Sequence, residues 1–73
     1  ELTECALSQE GVQGVDLLHT RVFGNKIYVD IEIRVDGEMR LRDAHGIAEH
    51  VHDAIEKNFS KVKHIMVHVN PAE

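Results

Sequence analysis

Between Lys26 and Val35 the apolar residues Ile27, Val29, Ile31, Ile33 and Val35 alternate without a break with Tyr28, Asp30, Glu32 and Arg34. A period of two is the pattern of a strand with one buried and one polar face, so Lys26–Val35 is expected to be a strand. A different period follows it. Leu41, Ala44, Ile47, Ala48, Val51, Ala54 and Ile55 recur at steps of three and four through Leu41–Phe59, which lays one apolar stripe along a helix. That stripe must bury against something flat, and the odd-numbered face of the strand is the surface available. The usual Ser, Thr or Asp cap is missing at Arg40, although Asp43 in the first turn suits the free amides and the helix dipole there.

The flanking segments complete the pattern. Glu1–Glu10 holds good helix formers with Leu2, Ala6 and Leu7 on one side, and Gly11 supplies a stop. Val15–Phe23 is rich in large apolar and β-branched residues and runs into Gly24-Asn25, a two-residue connection that predicts an antiparallel hairpin with the next strand. After Asn58-Phe59-Ser60 the period of two returns over Val62–Val69, with Pro71 expected to close the domain. The predicted order is α-β-β-α-β. It gives an α+β sandwich with a three-stranded sheet and both helices on one face. Residues 1–10 form the short first helix, 11–71 the rest of a single domain, and 72–73 a tail.

Composition narrows the chemistry. At 73 residues the chain is near the lower limit for an independent core, so an oligomer or a bound ion would help it. Its single cysteine, Cys5, cannot form an internal disulfide and carries no information on redox compartment. Thirteen acidic against eight basic residues give a net charge of -5, with no Lys/Arg track for phosphates, which argues against a nucleic-acid partner. No apolar run approaches the roughly 20 residues that cross a bilayer, so the chain is expected to be soluble. Its start at Glu1 without a methionine reads as that of an excised domain. Six histidines in so short a chain direct attention to proton or metal chemistry.

The strand alternation has a chemical consequence. If Ile65, Val67 and Val69 face the core, then Met66, His68 and Asn70 stand on the opposite, uncovered face, where Asp30 and Glu32 also point. Oxygen and nitrogen donors from distant parts of the chain could converge there, as a divalent-cation site requires. On the long helix, His45, Glu49 and His52 sit just off the buried stripe.

The run GVDLLHTRVFGNKIYVDIEIRVDGEMRLRDAHGIAEHVHDAI, ending in VHVNP, resembles the C-terminal cytosolic domain of the cation diffusion facilitators, transporters of divalent metals. The most specific matches are Gly14-Val15 leading into Thr20-Arg21, the Gly24 turn, Asp43-Ala44-His45, and His68 followed by Asn70-Pro71. The resemblance covers Gly11 to Pro71. It implies a metallochaperone-like (ferredoxin-like) fold on the cytoplasmic side of a membrane, attached to the protein's own transmembrane domain. It also implies a V-shaped homodimer whose arms change angle when metal binds. His45 and His68 match family metal-binding histidines in identity. Asp16 and Glu32 fall where relatives have histidines, and Asn70 replaces an aspartate. The loss of histidines favours iron(II) or manganese over a zinc cluster, with zinc remaining a candidate, and the magnetosome members of the family are similar. Because imidazole is the ligand, protons should compete with the metal near about pH 6.5.

Each candidate also has a plain reading. His68 can be a solvated strand histidine, Asp16 a turn-end carboxylate, Glu32 a cross-strand partner and Asn70 a turn residue before proline. His50, His52 and Glu49 can form a wet helix face, and His19, His64 and Met66 surface or packing positions. Two other function classes are open. One is a small-molecule regulatory domain of ferredoxin-like fold, which a lack of stabilisation by divalent ions would favour. The other is an acylphosphatase-like enzyme, suggested by Val12-Gln13-Gly14-Val15. The phosphate-binding arginine expected just after that string is replaced by Leu17 and Leu18.

Overall fold

The computed structural model describes residues 1–72 and shows the elements in the predicted order: α1 (Leu2–Leu7), β1 (Gly14–Phe23), β2 (Lys26–Asp36), α2 (Leu41–Asn58) and β3 (Val62–Ala72). β2 is the central strand. It pairs antiparallel with β1 through the hairpin and parallel with β3, whose approach is made by the α2 crossover. Gly24 takes the positive φ, 62°, that a two-residue hairpin turn of this kind needs at its first position, while Asn25 keeps a negative one.

The core follows the two periods. Val29, Ile31, Ile33 and Val35 of β2 are buried against Ala44, Ile47, Val51 and Ile55 of α2, with Val62 from β3 and Ala6 from α1 completing the cluster. Both helices therefore share one face of the sheet, and no polar side chain is buried among the described residues. As the missing cap residue implies, Arg40 makes no side-chain bond to the helix start, leaving Asp43 as the only acid in the first turn.

Element ends differ in instructive ways. α1 spans six residues rather than ten, because Ser8 and Gln9 turn back onto the Cys5 carbonyl and end it before Gly11. α2 stops at Asn58, with Phe59 outside. β3 does not close at Pro71: Pro71 and Ala72 pair with Val35 and Asp36, so the strand includes the first residue of the expected tail and Asn70 is a strand residue rather than a turn. An edge strand tolerates a residue without an N–H, and β3 is an edge strand. Glu73, the last residue of the expected tail, lies outside the described residues.

Candidate functional site

The even-numbered residues of β2 look away from the helices, and the pairing register decides what joins them. Asp30, Glu32 and Arg34 stand opposite Met66, His68 and Asn70 of β3. On the β1 side the register slips between Val15 and Leu17, so that Asp16 is an extra residue in a β-bulge. The bulge changes the parity of β1. Val15 and Leu18 face the core, while Gly14, Asp16 and Leu17 all belong to the open side.

Three of the sequence candidates meet there. Asn70 Nδ2 donates to Asp16 Oδ2 at 3.2 Å and to Glu32 Oε1 at 3.1 Å, joining carboxylates from β1 and β2 through an amide on β3. The second Asp16 oxygen accepts from Arg34 Nε at 2.8 Å. Gly14 makes room for that guanidinium: a Cβ at this position would lie 2.6 Å from Arg34 Cζ. The Asn70 amide first, with help from the Arg34 guanidinium, holds the Asp16 carboxyl below the usual carboxylate range against an opposing pull from desolvation.

His68, opposite Glu32 in register, places Nε2 3.3 Å from Asp30 Oδ1. Farther along the same face, Phe23 meets Tyr28 edge-on at 5.0 Å and Tyr28 lies 5.4 Å from the His64 ring. A shallow hollow of about 210 Å³ opens here, lined by His19, Arg21, Tyr28, Asp30, His64 and Met66. His64 thus belongs to an aromatic group and is not a solitary surface histidine.

His45 stands apart from the other four. It projects from the first half of α2, with its ring 3.7 Å from Glu49, on the side of the sheet opposite His68. Lower on α2, Glu49, His52 and Asp53 border a cleft with Val67 of β3. His52, Asp53 and Glu56 form the one group of three ligand-bearing side chains, among the described residues, whose donor atoms all lie within 4.8 Å of one another.

Arg34 is the participant that sequence reasoning missed, since a cation on an alternating polar face reads as solvated. The available signal was its position: two residues from Glu32 on the same face, with a glycine opposite. The face offers two carboxylates joined through one amide, with the His68 imidazole on the same face but paired with Asp30, and donors of these kinds suit a hard or borderline divalent cation. The carboxylates are already held by Arg34 and Asn70, so those bonds would have to give way.

The family model described as "Cation efflux protein, cytoplasmic domain" matches residues 1–72. The chain is 32% identical over 71 residues to metal tolerance protein C1 of Arabidopsis thaliana, which covers 97% of the chain and 15% of that protein. It is 28% identical over 60 residues to the manganese efflux system protein MneP of Bacillus subtilis, covering 82% of the chain and 20% of that protein. The chain therefore spans a fifth or less of the length of these two relatives. Among solved structures, a variant of the MamM C-terminal domain in its nickel form superposes with a TM-score of 0.95 at 30% identity, covering 99% of this chain and 91% of that one. These are transporter domains rather than members of an enzyme family. With the family match running from the first residue to the last described one, and the metallochaperone-like fold shared almost end to end with the MamM C-terminal domain, the chain belongs to the cation efflux, or cation diffusion facilitator, family and corresponds to its cytoplasmic domain.

Proposed function

We propose that this domain is a metal-sensing dimerisation module that regulates a divalent-cation transporter. Divalent cation binds the open sheet face through Asp16, Glu32 and His68, with Asn70 alongside. Two acidic faces repel until the ion neutralises them, and the closed pair then biases the attached membrane domain. One observation carries this reading: Asp16, Glu32 and Asn70, from three strands and up to 54 positions apart in sequence, lie within hydrogen-bonding distance on a face that no helix covers. His45, on the helix side of the sheet, is left outside this donor set, because a second copy packed open face to open face would also carry its own His45 on the far side. The oxygen-rich donor set favours manganese or iron(II), in keeping with the manganese named for MneP, while the nickel form of MamM agrees with one imidazole among the donors.

Manganese, iron(II), zinc and nickel are each expected to raise the melting temperature, with reversal by a chelator, since an ion bound to the folded state alone stabilises it by mass action. His68→Ala should abolish most of that gain. His45→Ala, on the helix side, should retain it. Full stabilisation in His68→Ala would dispose of the site.

The pH dependence has a defined sign. A carboxyl whose folded pKa is lowered contributes stability above its unfolded value, and loses it as pH falls through the folded one. Asp16, lowered from 3.8, therefore stays charged through pH 5–7. Binding lost over that interval is assigned to imidazole, which titrates near about 6.5 in general. Titrations at pH 7 and 5.5 should show weaker binding at the lower pH, and His68→Ala should flatten the difference.

A second reading places an ion on α2 at His52, Asp53 and Glu56, whose donor atoms are already close together. His52→Ala separates the two: it leaves binding intact if the open face is the site and removes it if the helix is.

A further inference from the structure

The open-face carboxylates already have a cation, and it belongs to the protein. Arg34 Nε lies 2.8 Å from Asp16 Oδ1. Asn70 Nδ2 takes the other Asp16 oxygen and also Glu32 Oε1. Every one of these bonds donates a proton to an oxygen whose lone pair a metal would need.

We propose that Arg34 is a built-in competitor of the divalent cation, which sets the threshold of the site by occupying Asp16 until metal displaces it. This rests on the assignment of the open face as the cation site. Three features carry it. Arg34 is on the same strand and face as Glu32, two residues away, so its charge opposes an incoming cation even where no bond is made. Its guanidinium lies over Gly14, in space that any other residue would fill. Asp16 is lifted from β1 by the bulge, which brings its carboxylate to both Arg34 and Asn70.

One of the carboxylates of the metal-free face is thus already paired within the chain while the face as a whole stays acidic, and binding is an exchange. The Arg34 side chain swings out to solvent, and Asn70 turns its carbonyl oxygen, in place of its amide, toward the ion. Both side chains are long or rotatable enough to do so without moving the backbone. The ion pair is partly exposed, so it holds Asp16 weakly enough for a bound ion to displace it. A competitor of this kind raises the metal concentration at which the domain responds.

Manganese(II) and nickel(II) titrations of the intact domain by calorimetry test this, with wild type, Arg34→Gln, Gly14→Ala and Asp16→Ala compared at two ionic strengths. Arg34→Gln should bind roughly two- to fivefold more tightly than wild type, the size expected for removing one exposed charged competitor, and the gain should shrink at high salt. Gly14→Ala keeps the charge but crowds the guanidinium away from Asp16, so it should tighten binding in the same direction by less. In nitrogen-15 spectra the Arg34 Nε–H signal should shift on metal addition to wild type. If wild type binds, Asp16→Ala does not, and Arg34→Gln equals wild type, the competitor proposal falls while the site stands. If neither wild type nor Arg34→Gln binds either ion, the open-face site itself is wrong and the proposal goes with it. Binding by Arg34→Gln alone would support the proposal in its strongest form.

Discussion

Asp16→Ala is expected to eliminate divalent-ion stabilisation of the domain while leaving its fold intact. Asp16 is a bulge residue on the exposed side of the sheet and contributes nothing to the core. Its removal takes away one of two carboxylates and leaves Arg34 unpaired beside Glu32 and His68, turning a site of net negative charge to about neutral. Both effects disfavour a cation, so affinity should fall by on the order of a hundredfold, the upper range for disruption of an ion's supporting groups. The check is paired: circular dichroism to show that the fold is unchanged, and the metal-dependent melting shift to show that it has vanished. A retained shift would place the ion elsewhere, with the His52 group on α2 next to be tested.

Ile31→Ala should have the converse result, a large loss of stability with no change to the donor set. Ile31 is fully buried at the middle of the central strand, between two strands and beneath α2. Truncating a core isoleucine to alanine costs about 2–5 kcal/mol through lost transfer energy and the cavity left behind. At about 0.05–0.15 kcal/mol per residue, a 73-residue chain has roughly 4–11 kcal/mol in total. The substitution therefore consumes a large share of it, and the melting temperature should drop by roughly 10–30 °C. Ile31→Val, which removes one methylene, should cost about 0.5–1.5 kcal/mol. A thermal melt showing equal effects for the two would mean that the helix does not seat where the burial pattern puts it.

How far the sequence could be read depended on what each residue's pattern had to satisfy. β2 was legible because a central strand with one buried face imposes a strict period of two, and Val29 to Val35 obey it. α2 was legible because its stripe must match that face. β1 was legible as a strand but not in its register: Leu17 and Leu18 are adjacent apolar residues, and only the pairing with β2 reveals that a bulge turns Leu18 inward and leaves Asp16 with Asn70. The end of β3 was missed because proline was given its usual meaning, which does not hold on a strand with a free edge.

The site was legible in the same uneven way. Face parity put Glu32, His68 and Asn70 on one surface before any coordinates, and the family resemblance supplied Asp16 and His45. Parity could not say that Asn70 would act through its amide rather than its oxygen, because that depends on which groups surround it. Nor could spacing alone show that His45 lies across the sheet from its expected companions, since helix and strand residues carry no common register.

Tyr28 gives the open face a voice of its own. It is the only tyrosine in a chain without tryptophan, and it sits on the same strand and face as Asp30 and Glu32, between Phe23 and His64. Ultraviolet-excited emission from the unlabelled domain is thus a local signal from that surface. Quenching by paramagnetic manganese or nickel, set against a muted response to zinc, would register arrival of an ion there without a dye, a tag or a substituted residue.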